Sequence, residues 1–165
     1  RLPEDIRVQS SCEVPIDFHP RRTDCIKTYE YRIQNRKIEM PLDRLYSYFV
    51  YVDLDIEAME RAGQYLVGTH DFKSFCSVKT QALDTVRTIY SIKASKKEDI
   101  IYITIRGNGF LYNMVRIIVG TLINVGRGFY TPEKVLEILK ACDRSQAGPT
   151  APAKGLSLVK IDYNI

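Results

Sequence analysis

The most telling gaps in this 165-residue sequence are in its cysteines, glycines and long apolar runs. Cys12, Cys25, Cys76 and Cys142 are far apart and form no Cys-x-x-Cys pair, which removes the usual signatures of a zinc site and of a redox motif. Reduced, mostly buried thiols are expected. No glycine-rich phosphate loop is present. Gly107-Asn108-Gly109 lacks the third glycine of a dinucleotide fingerprint, and Gly126-Arg127-Gly128 opens no phosphate-binding pattern. The most apolar stretch is broken by Arg116 and Asn124 and falls short of the roughly 20 residues a membrane span needs, so a soluble protein is expected. Repeats, disorder-prone tracts and targeting segments are also missing, and the opening Arg1-Leu2-Pro3-Glu4-Asp5 reads as that of a fragment. Mild basicity, a net charge of +4 and a pI near 8.8, is compatible with an acidic partner without requiring one.

What is present centres on Gly107 to Gly126. Phe110, Leu111, Met114, Val115, Ile117, Ile118, Val119, Leu122, Ile123 and Val125 leave almost no solvent face, so the helix they predict is buried nearly all round. Its one ion, Arg116, shares a narrow stripe with Asn113, Gly120 and Asn124. A guanidinium cannot shed its charge, so a buried one needs a carboxylate, a phosphate or a set of acceptors, and an acid of the same chain would also serve. Gly120, one turn on, would let a partner come close.

Around this helix the pattern predicts strands at Ile6–Val14, Ile26–Gln34, Tyr46–Val52, Thr85–Ala94, Ile100–Arg106 and Ser157–Tyr163, with a hairpin turn at Lys96-Lys97-Glu98-Asp99. Helices are expected from an Asp53 or Asp55 cap to about Val67, stopped by Gly68, and from Thr131-Pro132-Glu133 onward. Alternation alone makes Tyr29 a core residue. Thr69–Phe75 reads as a loop with two aromatic anchors, where His70 beside Asp71 lacks the further ligands or triad geometry that chemistry requires. Asp143 to Gly155, thirteen residues rich in Gly and Pro, suits a functional lining. Between His19 and Lys37 stand six basic residues (Arg21, Arg22, Lys27, Arg32, Arg36, Lys37) against two acids, interleaved with Tyr29 and Tyr31. That mixture fits either a nucleic-acid backbone with aromatic platforms or a charge-protected strand edge. The whole predicts an α+β class: a mostly antiparallel mixed sheet with helices packed on one face, forming a single domain over residues 1–165.

Several ordered motifs then resemble one family. Asn108-Gly109-Phe110-Leu111-Tyr112-Asn113-Met114-Val115-Arg116-Ile117-Ile118-Val119-Gly120 is similar to the Phe-Leu-x-x-Met-Val-Arg-x-Ile-Val-Gly signature of the TruA-type tRNA pseudouridine synthases. Asp17-Phe18-His19-Pro20-Arg21, Lys27-Thr28-Tyr29-Glu30-Tyr31, Gly68-Thr69-His70-Asp71-Phe72 with Ser74-Phe75, Arg87-Thr88-Ile89, and Ala151-Pro152-Ala153-Lys154-Gly155-Leu156-Ser157-Leu158 follow in that family's order. The family's nucleophilic aspartate lies in a Gly-Arg-Thr-Asp-x-Gly-Val-His motif upstream of the first of these, and it is not in this chain. Arg22-Thr23-Asp24 imitates the triplet, but without the glycines that would shape a catalytic loop Asp24 is not taken as the nucleophile.

The resemblance implies the C-terminal domain of an enzyme that isomerises uridine to pseudouridine in the anticodon stem-loop of tRNA. An aspartate attacks the uridine, the glycosidic bond breaks and the base rejoins the ribose through carbon. By the same resemblance Arg116 pairs with the catalytic aspartate, Tyr29 packs on the target base, Leu156 forms an apolar wall, and Arg21 and Arg22 face tRNA phosphates. It implies no cofactor and no metal, a cytoplasmic homodimer with tRNA as partner and no membrane, and an inactive segment when alone. The alternative is a non-catalytic RNA-binding and dimerisation module.

Overall fold

The computed structural model describes residues 2–77 and 84–163. Among these residues six strands form one sheet: β1 (Cys25–Asn35), β2 (Tyr48–Val50), β3 (Gly68–Asp71), β4 (Val86–Lys97), β5 (Ile100–Gly107) and β6 (Leu156–Tyr163). Three helices accompany them, α1 (Ile56–Gln64), α2 (Met114–Gly126) and α3 (Pro132–Ala141). In the sheet β3, β4, β5 and β1 lie side by side and antiparallel. The other edge of β1 is shared by β6, antiparallel along its first half, and β2, parallel at its end. The expected α+β class, mostly antiparallel with one parallel pair, is the class observed.

Period-two alternation decides which side is covered. Tyr31 and Ile33 of β1, Ile101, Ile103 and Ile105 of β5, and Ile89 and Ile92 of β4 are buried in one core with α1 and α2. The opposite side carries Glu30, Arg32 and Arg106, joined by the pairs Arg32 to Glu30 at 2.9 Å and Arg106 to Asp162 at 3.9 Å. The helices sit on the apolar side, with α1 packed against β4, α2 and α3.

Several elements differ from the sequence pattern. Residues 6–14 are not a strand: Ile6, Val8 and Val14 are exposed and no neighbour pairs with them, because β6 and β2 already fill the available edge of β1. The buried helix starts at Met114, since Phe110 and Leu111 still belong to the crossing from β5 and Asn113 takes a left-handed backbone (φ 61°) that no helix continues through. The presumed loop after Gly68 opens with β3 and closes with a 3-10 turn at Lys73–Phe75, while Phe72 and Phe75 are the fully buried anchors expected. Finally, α1 ends at Gln64, β2 keeps only the middle of its apolar run, and β4 continues through Lys97, so that the hairpin turn is Glu98-Asp99 alone.

Of the two candidate caps for α1, Asp55 is the one used: its carboxylate accepts from the Ala58 amide at 2.8 Å. Removing it leaves a first-turn amide unsatisfied. Asp55→Ala is therefore expected to lower stability by about 1 kcal/mol, read as an earlier urea midpoint with an unchanged slope.

Candidate functional site

The site grows from the N-terminal turns of α2. Asn113 does not cap the helix through its side chain; it spends its amide elsewhere, donating to Ser77 Oγ at 3.0 Å and accepting from Arg116 Nη1 at 3.0 Å. A non-glycine residue held in the left-handed region to position a side-chain contact is typical of sites rather than of scaffolding.

Arg116 is half-buried and is tied to the chain that crosses over α2 at residues 148–152. It exchanges two hydrogen bonds with Ala151. Arg116 Nε donates to the Ala151 carbonyl at 2.6 Å, and the Ala151 amide donates to the Arg116 carbonyl at 3.1 Å. The strap is also fixed at its start, where the Gly148 amide donates to Thr121 Oγ1 at 3.0 Å. Between these points it lies directly on Gly120: a Cβ there would stand 1.8 Å from the Pro149 oxygen. The close partner that Gly120 admits is therefore this chain's own Gly- and Pro-rich segment.

No acid among the described residues forms an ion pair with Arg116, so the internal salt bridge left open by the sequence is not what holds it. A guanidinium has five donors, and the two hydrogen bonds to Asn113 and Ala151 use two. Both acceptors are neutral. The charge stays uncompensated and the remaining donors are available to an anion.

Of the two tyrosines of β1, Tyr31 is the one bonded to the strap. The Tyr31 hydroxyl donates to the Pro152 carbonyl at 2.6 Å. Burial raises its pKa well above the ordinary tyrosine value; Tyr48 adds to the rise and the charge of Arg116 opposes it. Tyr31 is thus the buried structural tyrosine. Tyr29, two residues earlier on the same side of β1, is only half-buried and meets the edge of Phe110 with ring centroids 5.1 Å apart. Alternation predicted a core place for Tyr29 as for Tyr31, but only Tyr31 is wholly buried; Tyr29 lies on the rim of the core. Leu156, the first residue of β6, pairs with Tyr31 of β1 and is half-buried, and both Leu156 and Tyr29 pack on the rim of the core.

Arg21 and Arg22 stand exposed on a turn closed by the Arg22 and Thr23 amides on the His19 carbonyl, both at 2.9 Å. The turn is pinned to the end of β6: Phe18 packs edge-on to Tyr163 at 5.1 Å, and the Tyr163 hydroxyl donates to the Pro20 carbonyl at 3.2 Å. The basic run divides in two. Arg32, Arg36 and Lys37 pair with Glu30, Asp99 and Asp53, whereas Arg21, Arg22 and Lys27 have no ion pair among the described residues. β1 is not a sheet edge, and its tyrosines face the core side while Arg32 faces away, so tyrosines and basic residues do not form one interleaved surface.

His70 and Asp71 have local tasks. His70 Nε2 lies 3.0 Å from the Val67 carbonyl, and Asp71 Oδ1 accepts from the Lys73 amide at 3.0 Å and from Thr85 Oγ1 at 2.6 Å. No group of three or more His, Cys, Asp or Glu side chains able to hold a metal occurs among the described residues, and no helix among them is long and apolar enough to cross a membrane. Sequence reasoning missed the amide of Asn113 as the second acceptor for Arg116, and Phe110 as the ring against Tyr29. Asn113 did fall on the Arg116 stripe, and that was the available signal.

A family model described as tRNA pseudouridine synthase matches residues 62–164. The chain is 48% identical over 163 residues to tRNA pseudouridine synthase A of Brevibacillus brevis, covering 99% of this chain and 67% of the relative. It is 50% identical over 164 residues to tRNA pseudouridine synthase A 2 of Clostridium tetani, covering 99% and 66%, and 48% identical over 162 residues to tRNA pseudouridine synthase A of Thermoanaerobacter sp., covering 98% and 66%. The chain thus spans about two thirds of the length of the curated relatives it matches.

Proposed function

Since the chain belongs to the tRNA pseudouridine synthase family, we propose that its full-length protein isomerises uridine to pseudouridine in the anticodon stem-loop of tRNA, with residues 1–165 as the C-terminal domain forming one wall of the cleft. The observation that carries this is the state of Arg116: a half-buried guanidinium, held by two neutral acceptors, with donors left for an anion that the described residues do not supply. A nucleophilic aspartate contributed by the remaining third of the protein is that anion. Arg116 keeps it ionised and oriented.

In the same proposal Tyr29 lies against the target base, Leu156 closes the pocket on an apolar side, and Arg21 and Arg22 reach phosphates. A base drawn out of its stack needs a flat ring and an apolar wall, and in this reading Tyr29 and Leu156, half-buried on the rim of the core, provide these chemistries. The reaction is an isomerisation, so atoms and electrons balance within the uridine and the scheme calls on no cofactor. The enzyme acts on tRNA as a cytoplasmic homodimer.

Pseudouridine formation on unmodified tRNA, measured for this chain and for the full-length protein, tests the proposal. The chain alone is expected to be inactive and the full-length protein active. Activity in the short chain would place the nucleophile within it, on Asp24 or another acid. A full-length protein that binds tRNA without converting it would instead favour the non-catalytic RNA-binding module.

A further inference from the structure

Arg127, at the C-terminal end of α2, has no role in the site described above. It is half-buried, its Nε is shielded from solvent without a hydrogen-bond partner, and its guanidinium forms no ion pair among the described residues. The negative end of the α2 dipole favours a cation at this point but leaves the Nε–H unsatisfied. The residue cannot deprotonate to escape that cost.

Arg127 lines two cavities. The smaller, about 190 Å³, runs beneath the strap between Gly120, Asn124 and Pro149–Pro152. The larger, about 540 Å³, opens to solvent and is walled by Lys37, Tyr51, Val52, Asp53, Arg127 and Phe129. Its frame is fixed. The Asn35 amide donates to the Val50 and Val52 carbonyls at 3.0 and 2.7 Å, and the Asp55 amide donates to the Gly126 carbonyl at 2.9 Å. Lys37 and Asp53 neutralise each other at 3.1 Å, which leaves Arg127 as the uncompensated charge in the cavity wall. Tyr51 and Phe129, 62% and 70% exposed, offer large apolar rings to the same space.

We infer that this cavity is a second RNA contact, separate from the Arg116 site, in which Arg127 binds a backbone phosphate and Tyr51 or Phe129 stacks on the adjoining base. A guanidinium with no ion pair among the described residues and a shielded, unsatisfied Nε calls for an anion. Exposed aromatic rings beside it call for a planar apolar group, and a nucleotide joins the two. The proposal rests on tRNA being the substrate. Arg127 lies eleven residues beyond Arg116 on the same helix, roughly 16 Å at the α-helical rise, so the cavity meets a part of the RNA away from the target uridine.

The test uses the full-length protein and an unmodified tRNA transcript, with filter binding across a range of salt concentrations. Arg127→Gln is expected to weaken binding by roughly tenfold and to flatten the salt dependence by about one phosphate contact. The double variant Tyr51→Ala with Phe129→Ala changes exposed positions only; it is expected to weaken binding by a similar factor with the salt slope unchanged. If Arg127→Gln fails to fold by circular dichroism, the double variant decides alone. Wild-type affinity and slope in the folded variants would overturn the inference. So would a change in the sedimentation of the RNA-free protein on Arg127→Gln, which would make this face a contact between two copies of the chain. Turnover of the wild-type full-length protein is measured beside them: conversion of the tRNA upholds the enzyme reading even where the Arg127 contact fails, and binding without conversion would sink that reading.

Discussion

Arg116→Ala in the full-length protein is expected to slow single-turnover pseudouridine formation by on the order of 10³-fold while leaving tRNA affinity within about threefold, a loss of roughly 4 kcal/mol of transition-state stabilisation. The asymmetry follows from the surroundings of the side chain. Its Nε and one Nη are already committed to Ala151 and Asn113, so it contributes little further to generic phosphate binding, but those two bonds aim the rest of the fork in one fixed direction. A positioned charge in a half-buried place acts on a developing or catalytic anion far more strongly than a solvated one does.

Arg116→Lys keeps the charge and loses the fork, so it is expected to recover only part of the rate. Tyr29→Ala removes the ring that meets Phe110 and is expected to cost on the order of 10²-fold in the same assay. Tyr29→Phe keeps that ring and should retain most of the rate. Near-normal turnover in both alanine variants would remove Arg116 and Tyr29 from the chemistry.

How much of this was legible in the sequence depends on whether a feature is local or shared. The hairpin of β4 and β5, the proline-led start of α3 and the Asp55 cap are written in a few adjacent residues, and they are found where expected. The polar stripe on a helix otherwise apolar all round was equally plain, and it singled out Arg116, Asn113 and Gly120. Pairing was not legible. Ile6 to Val14 alternates well enough for a strand, yet a strand exists only beside another, and the place beside β1 is filled by β6 and β2. Tyr29 and Tyr31 are equivalent by alternation; only the tertiary packing makes Tyr31 wholly buried, with its hydroxyl on Pro152, and leaves Tyr29 on the rim of the core. Gly126-Arg127-Gly128 opens no phosphate-binding pattern in the sequence, and the unsatisfied Nε of Arg127 becomes visible only once the chain after β2 and the end of α2 meet.

Gly120→Ala is expected to be among the most damaging single-methyl changes in the molecule, costing about 3 kcal/mol and roughly 6–12 °C in Tm for a domain of this size. The cause is contact rather than backbone freedom. Gly120 lies in a regular helix, but a Cβ there would stand 1.8 Å from the Pro149 oxygen and 2.9 Å from its carbonyl carbon, and neither is the flexible end of a side chain. The strap has to lift. It is stitched to α2 on both sides, by Gly148 to Thr121 and by Ala151 to Arg116, so lifting it breaks hydrogen bonds that include the one orienting the guanidinium. Gly128→Ala supplies the contrast: its φ of +75° makes any side chain strained, but nothing lies within 4 Å, so only the local cost of about 1–2 kcal/mol applies. Urea unfolding of the two variants, paired with single-turnover rates at a temperature where both are folded, separates the effects. Gly120→Ala is expected to lose turnover beyond its loss of stability, because the strap that holds Arg116 has moved, whereas Gly128→Ala loses stability alone. Equal turnover in the two folded variants would mean that the strap does not position Arg116.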